Sequence, residues 1–289
     1  MLVSNFGNDY KLIKASNGQK LERWGNVTLL RPDPVIIWHD NKIKNEEADA
    51  VYYRSNTGGG HWENLKSVPE RWTINYKNLT FNIKQMGFKH TGLFPEQAVN
   101  WERMIEAIKN SNRKDIKVLN LFAYTGGATV ACLSAGASVV HVDSSKGMND
   151  WAKENVVSSG LQDKPVRFLV DDVIKFVERE IRRGNKYDGI VMDPPSYGRG
   201  PNKEVWKFEE SIYKLIDACI KILSDKPLFF LINSYTTGIS STVLENILKT
   251  TLLPLYPNGK VDAGEVGLPI TRDDLVLPCG IYGRYISND

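Results

Sequence analysis

Cysteine is scarce in this chain: Cys132, Cys219 and Cys279 are the three in 289 residues, far apart and odd in number, so they build no disulfide framework. The four histidines form no HExxH pattern and the cysteines no CxxC pair, which excludes the common zinc arrangements, and no metal is expected. Long apolar runs are missing as well. The longest, such as "PLFFLI", fall far short of the roughly 20 residues a membrane span needs. The opening stretch "MLVSNFGNDYKLIKAS" lacks the basic start and apolar core of a leader peptide. A cytoplasmic protein with no membrane partner is the expectation. Charge of one sign is also short: a formal net charge of +3 is too small to argue by itself for a nucleic-acid partner. Internal repeats and low-complexity tracts are absent.

What is present suits a soluble globular protein, since 42% hydrophobic and 25% charged residues can bury a full core. The length exceeds the usual range of about 100–200 residues for one domain and suggests two units. Residues 1–90 read as short alternating segments, "KLERWGNVTLL", "AVYYR", "RWTINY" and "LTFNIK", broken by "SNG", "RPDP" and "NTGGGHW" turns, which predicts a small β-rich module. That module holds 13 Lys and Arg against 9 Asp and Glu, whereas the remainder holds 24 against 25. A mildly basic front therefore precedes a neutral body at 91–289.

In the body the pattern changes to alternating helix and strand, the signature of a parallel sheet with crossover helices. Strands are expected at "KVLNLFA", "SVVHVD", "VRFLV", "YDGIVMD" and "PLFFLINS", continuous apolar runs of the kind covered on both faces. Between them Ala128, Ala131, Cys132 and Ala135 fall on one helical stripe, as do Phe208, Ile212, Leu215, Ile216, Cys219 and Leu223, which makes Cys132 and Cys219 core residues. A last helix is expected near 241–252. The segment "GKVDAGEVGLPITRDDLVLPCGIYGRYI" then reads as two strands with no helix between them, an antiparallel hairpin closing the sheet edge.

Ligands of open α/β sheets bind beyond the carboxyl ends of the strands, where strand order reverses, so those ends are read together. The first leads into "LFAYTGGATV", where Gly126 and Gly127 let the backbone turn sharply before a helix. An ordinary strand-to-helix turn needs the same glycines. The loop is no full GxGxxG and argues against a dinucleotide. The second strand ends in Asp143, able to accept from both hydroxyls of a ribose; the third ends in Asp171 and Asp172, able to accept from an adenine amino group, although a helix N-cap accounts for Asp171 better and Asp172 can share that role. The fourth delivers Asp193-Pro194-Pro195. Prolines have no N–H, so this stretch presents carbonyl oxygens beside a carboxylate. Such acceptors can hold a planar amine for attack on an electrophilic methyl group, with Tyr197 stacked on the acceptor ring. A plain turn also uses an acid before prolines.

The stretches "VLNLFAYTGGATV", "VVHVDSSKGMNDWAKENV", "LVDDVIKFV", "YDGIVMDPPSYGRG" and "FFLINSY" resemble, in order, the motifs of class I S-adenosylmethionine-dependent methyltransferases. In particular they resemble the bacterial group related to the large-subunit 23S ribosomal RNA methyltransferases, over roughly residues 88–286. The resemblance implies a Rossmann-like fold with a mostly parallel seven-stranded sheet and a C-terminal antiparallel hairpin, S-adenosylmethionine as cofactor and ribosomal RNA as partner. It further implies that Phe122, Tyr124, Thr125 and Gly126 line the methionine end of the cofactor. Asp143, with Ser144 after it, would bind the ribose; Asp172, beside Asp171, would meet the adenine amino group. Asp193 and Pro194 would face the acceptor, and Gln97 in "KHTGLFPEQAVNW" would face the cofactor.

Methylation at C5 of a pyrimidine requires a thiolate to attack C6 first, and with Cys132 and Cys219 on core stripes only Cys279 is left for it; amine or ring-nitrogen methylation is therefore favoured. Lys175, Arg179, Arg182, Arg183 and Lys186 either track a phosphate backbone or form a solvated helix face. The "GGGHWENLKSVPERW" stretch, with Trp62 and Trp72, suits base stacking or a small core. Competing functions are a methyltransferase for a small molecule or protein, a nicotinamide-dependent oxidoreductase, and a catalytically silent RNA-binding relative. The oxidoreductase predicts a third loop glycine that the sequence lacks.

Overall fold

The computed structural model describes residues 1–39, 43–56, 58–199, 205–272 and 274–288. The chain forms two units: a body of Met1, Asn100–Glu265 and Gly280–Asp289, and a front unit of Leu2–Val99 and Val266–Cys279. The division lies at 99/100 rather than the expected 90/91, and the front unit takes a second segment from near the end of the chain.

In the front unit the strands are β1 (Leu2–Val3), β2 (Tyr10–Ser16), β3 (Gln19–Trp24), β4 (Val27–Pro32), β5 (Ala50–Arg54), β6 (Gly60–Asn64), β7 (Trp72–Tyr76) and β8 (Leu79–Ile83). β2, β3 and β4 form an antiparallel meander; β5 joins β4 in parallel and β6 pairs with β5 antiparallel, while β7 and β8 make a separate hairpin. "KLERWGNVTLL", read as one segment, is two strands, because Gly25 takes φ +63° and folds the chain back between Trp24 and Val27. The inward residues Trp24, Leu29, Leu30, Ile74, Phe81 and Ile83 are fully buried. Trp62 donates its indole N–H to Met86 O at 2.8 Å and packs on Tyr52, and Trp72 donates to Trp24 O at 3.0 Å. Both tryptophans are thus parts of the framework, not open stacking platforms.

A buried ion pair sits in this unit. Arg31 donates through Nε and Nη2 to the Glu22 carboxylate at 2.7 and 2.8 Å, and Tyr10 adds a third bond at 2.8 Å. Burial alone would raise the Glu22 carboxyl, but Arg31 and Lys20 beside it, with the bonds from Arg31 and Tyr10, hold it down at about 2.

The body carries β9 (Lys117–Leu121), β10 (Ser138–Asp143), β11 (Val166–Val170), β12 (Gly189–Met192), a small hairpin of β13 (Tyr197–Arg199) and β14 (Val205–Lys207), β15 (Phe229–Ser234), and two long strands, β16 (Gly259–Ile270) and β17 (Leu275–Ser287). Its helices are α1 (Ala98–Asn110), α2 (Gly127–Ser134), α3 (Lys146–Ser158), α4 (Val173–Arg183), α5 (Phe208–Ile220) and α6 (Ser241–Thr251). The sheet runs β11-β10-β9-β12-β15-β17-β16. The first five strands are parallel and β17 is antiparallel to β15, which is the Rossmann-like seven-stranded arrangement. Strand order reverses between β9 and β12, so their carboxyl ends flank the switch point where α/β proteins bind ligands. The expected stripe of α5 is buried, with Ile212, Leu215, Ile216 and Cys219 packed in one cluster with Phe176, Ile190 and Phe230.

The last two strands are not a simple edge. The chain leaves the body within β16, after Glu265, and returns within β17, at Gly280. Inside the front unit the far half of β16 pairs in parallel with β1, Leu2 opposite Val266, and with β2, Ile270 opposite Leu12. No described helix is long and apolar enough to cross a membrane. Among the described residues no group of three or more His, Cys, Asp or Glu side chains could hold a metal ion.

One glycine of the first loop answers to packing. A Cβ on Gly127 would stand 2.7 Å from Cζ2 of the buried Trp101 of α1. We expect Gly127→Ala to cost about 1–3 kcal/mol, as overpacked cores do, read as a lower midpoint in urea unfolding; an unchanged midpoint would show that Trp101 yields freely.

Candidate active site

Beyond β9 the chain turns through Phe122, Ala123, Tyr124, Thr125 and Gly126 into α2, with φ of +52° at Phe122, +51° at Tyr124 and +83° at Gly126. Left-handed backbone costs a side-chain-bearing residue about 1–2 kcal/mol and persists only where surroundings enforce it. They do so here. Ala123 N donates to Val142 O at 3.1 Å, Tyr124 N to Asp143 Oδ2 at 2.8 Å, and Asn155 Nδ2 to Thr125 O at 2.8 Å. Behind the loop Asn120 Nδ2 donates to Thr129 Oγ1, which meets His141 Nδ1, each at 2.9 Å. His141 is fully buried, and burial pushes its ring down to about 3, so it is neutral near pH 7. Thr125 and Gly126 are buried under the turn, which leaves Phe122 as the loop residue lining the cleft.

That cleft holds about 600 Å³ of empty space, part of it open to solvent, and is walled by Phe122, Asp143, Ser144, Asp171, Asp172 and Pro195 together with Val173, Ile174, Gly198, Val205 and Trp206. Four successive parallel strands contribute. Asp143, at the end of β10, accepts from Tyr124 N and Ser145 N at 2.8 Å each; each carboxylate oxygen keeps a further lone pair for a ligand hydroxyl. Burial raises this carboxyl above the ordinary aspartate range, against the pull of the two backbone amides. Asn149 steadies the turn by donating to Asp143 O and Ser145 O at 3.0 and 2.9 Å.

At the end of β11 the two acids divide their roles differently from expectation. Asp172, not Asp171, is the N-cap of α4, accepting from Lys175 N at 2.9 Å. Asp171 is ion-paired with Arg179 one turn and more along the helix. Two adjacent aspartates leave the helix start undetermined by one residue, and the backbone settles it. Both still line the cleft, beside the apolar Val173 and Ile174. Other basic residues of α4 pair locally, Arg183 with Glu180 at 3.1 Å, and Lys186 beyond it with Lys221 O at 2.9 Å, as on a solvated helix face.

The fourth strand end is the Asp193-Pro194-Pro195 turn. Asp193 is half-buried, with its N–H directed to Leu121 O at 3.4 Å; Pro194 is buried and Pro195 exposed on the cleft wall. One expectation changes here. The Pro195 carbonyl has a donor, since Trp206 Nε1 reaches it at 2.6 Å. In the β13–β14 pair Gly198 stands opposite Trp206 and Tyr197 opposite Lys207, and alternate residues face opposite sides, so Tyr197 lies outside this cleft. Tyr197 is 52% exposed, whereas Trp206 is 8% exposed and supplies the aromatic wall. Gln97 is buried in the 3₁₀ turn Pro95–Gln97 of the front unit.

The donor set suits a nucleoside carrying a positive charge. Three carboxylates, one of them neutralised by Arg179, flank a partly apolar cleft. Asp143 could take ribose hydroxyls, and Phe122, Val173 and Ile174 could cover an adenine ring. A pyrophosphate would find like charge instead.

The family model of S-adenosylmethionine-dependent methyltransferases matches residues 50–224. Among solved structures, a SAM-dependent methyltransferase from Agrobacterium tumefaciens is 34% identical, with a TM-score of 0.92 over 99% of this chain and 92% of that one. Among curated proteins, the ribosomal RNA large subunit methyltransferase K/L of Colwellia psychrerythraea is 30% identical over 60% of this chain and 24% of its own length. The ribosomal RNA large subunit methyltransferase I of Photobacterium profundum is 33% identical over 59% of this chain and 41% of its own length. The chain thus spans less than half of those two relatives. With the family model covering more than half of the chain, and a structure of the same kind matching nearly all of it, the protein belongs to the S-adenosylmethionine-dependent methyltransferases.

Proposed function

We propose that the protein methylates a nitrogen of a base in RNA, with ribosomal RNA as the first substrate to test. Bound S-adenosylmethionine supplies an electrophilic methyl group on a sulfonium; the residues of the chain hold and orient. The observation that carries the reading is the Asp193-Pro194-Pro195 turn at the strand end beside β9, with Pro195 in the wall of the cleft. Its carboxylate and the Pro194 carbonyl can accept from an amine and aim the nitrogen lone pair, and the proton released after transfer leaves to solvent. A nitrogen acceptor is favoured because no cysteine lines the cleft. Cys132 is buried with its thiol pushed up to about 12, and Cys219 is likewise raised by burial. Cys279 lies in the front unit, where burial, with Glu96 adding to it, raises its thiol. RNA is supported by the names of the curated relatives and by the mild basic excess of the first 90 residues. We read the protein as cytoplasmic, in keeping with such a substrate.

The test is transfer of a labelled methyl group to bulk RNA, followed by nucleoside analysis. Methylated purine or amine-methylated nucleosides support the reading; label in protein or small molecules only, or in none of these, overturns it. In parallel, S-adenosylhomocysteine is titrated calorimetrically. Loss of charged hydrogen bonds worth about 1.5–3 kcal/mol makes Asp143→Ala bind about ten- to hundredfold more weakly. In the wild type, affinity falls on the acid side at a higher pH than an ordinary aspartate would give, because Asp143 must be ionised to accept and its carboxyl is raised. Equal affinity of Asp143→Ala and wild type would remove Asp143 from the cofactor site.

A further inference from the structure

Trp206 touches both sides of the transfer at once. Its ring meets that of Phe122 at 5.0 Å between centroids and 56° between planes, its indole N–H donates to Pro195 O at 2.6 Å, and all three residues line the cleft. Phe122 is the left-handed residue that opens the cofactor loop, and Pro195 closes the acceptor turn. The turn has further ties, Phe208 N to Ser196 O at 3.1 Å and Thr236 Oγ1 to Ser196 Oγ at 3.0 Å, but these run to α5 and to the end of β15. Asp193 N reaches Leu121 O, just before the cofactor loop, at 3.4 Å, and the Trp206 bond adds a tie whose ring also meets Phe122 of that loop. Gly198 stands opposite Trp206 in the hairpin, and a Cβ there would make only ordinary contacts, 3.5 Å from Pro195 Cγ and 3.8 Å from Trp206 Cβ.

We infer that Trp206 is a positioning residue that clamps the Phe122 wall of the cofactor cleft to the Pro195 wall of the acceptor turn and so sets the distance across which the methyl group passes. The inference rests on reading Asp193-Pro194-Pro195 as the acceptor turn. Group transfer needs the reacting atoms about 3–3.5 Å apart and in line, and a misplacement of about 1 Å costs on the order of 10²-fold in rate. A rigid indole held at both its ring and its N–H restrains that distance better than a contact of either kind alone. The hydrogen bonds that hold Asp143 and Asp172 run to Tyr124, Ser145 and Lys175 and not to Trp206, so binding and transfer separate.

Two variants test this. Trp206→Phe keeps an aromatic face for Phe122 and removes the donor to Pro195; Trp206→Leu removes both. Hydrogen–deuterium exchange of the 193–198 segment is followed with and without S-adenosylhomocysteine. Cofactor product slows exchange there in the wild type, and in Trp206→Phe that slowing is lost while the 122–126 and 143–145 segments remain protected. On the RNA that accepts the methyl group, kcat of Trp206→Phe falls about tenfold or more, KM for S-adenosylmethionine stays within threefold, and Trp206→Leu falls further. The clamp is overturned if the 193–198 segment responds to product equally in wild type and Trp206→Phe, if kcat of that variant stays within twofold, or if kcat, cofactor affinity and thermal midpoint decline together as for a merely structural residue. A wild type that methylates no RNA would fell the proposed substrate, while the exchange measurement still judges Trp206.

Discussion

Asp193→Ala lowers kcat by about 10²–10³-fold and leaves S-adenosylhomocysteine affinity within about threefold. The nitrogen that attacks gains positive charge as its bond to the methyl carbon forms, and removing a preorganised group aimed at developing charge costs about that much in characterised enzymes. Asp193 follows the end of β12, half-buried and tied by its backbone to Leu121 of β9, so its main chain is fixed beside the strand end. It does not line the cofactor cleft, which is why binding should be spared. Asp193→Asn is the sharper variant, since the amide keeps an accepting oxygen but carries no charge; it should fall between wild type and alanine. The measurement is single-turnover transfer at saturating cofactor. A loss of affinity as large as the loss of rate would assign Asp193 to the cofactor instead.

Glu22→Gln destabilises the front unit by about 3–5 kcal/mol, the cost of removing one partner of a buried ion pair. Glu22 is 1% exposed and Arg31 5%. The amide offers one accepting oxygen where the carboxylate served two guanidinium nitrogens and Tyr10, and it leaves the Arg31 charge buried. The pH dependence has a definite sign. The folded carboxyl, at about 2, lies below the ordinary glutamate value, so its stabilisation is fully present above about pH 4.3. It is lost as pH falls towards 2. Urea unfolding at pH 7 and at pH 3 checks both: the gap between wild type and Glu22→Gln should narrow in acid. A gap that is constant with pH would mean that packing rather than charge holds Glu22.

The sheet of the body was legible because its strands are buried on both faces and spell continuous apolar runs, "VLNL" and "FFLIN" among them. The acids at their ends were legible for the same reason, since a carboxylate directly after such a run stands out. Trp206 was not. Its hairpin is built of strands of 3 residues each, too short to carry a period, and the residue lies 13 positions beyond Asp193 in sequence. The left-handed Phe122 and Tyr124 were also hidden, because an aromatic side chain advertises a strand or a core, and the bonds that hold the turn in that shape, to Val142 O and Asp143 and from Asn155, come from residues far along the chain. The exchange of roles between Asp171 and Asp172 arises from a one-residue register that local pattern does not resolve. The unit boundary was missed because β16 and β17, at 12 and 13 residues, were read as ordinary strands of one sheet.

Those two strands have a consequence for how the chain is made. The front unit needs Val266–Cys279 as well as Leu2–Val99, so a chain emerging from the ribosome cannot complete the unit begun by Leu2–Val99 until residues 266–279, made after most of the body, have been synthesised. Pairings between Leu2 and Val266 and between Leu12 and Ile270 span almost the full sequence, the kind of contact that forms late and slows folding. A gene cut at codon 90 would release two incomplete halves, and the smaller would carry the unpaired strand edges that favour aggregation.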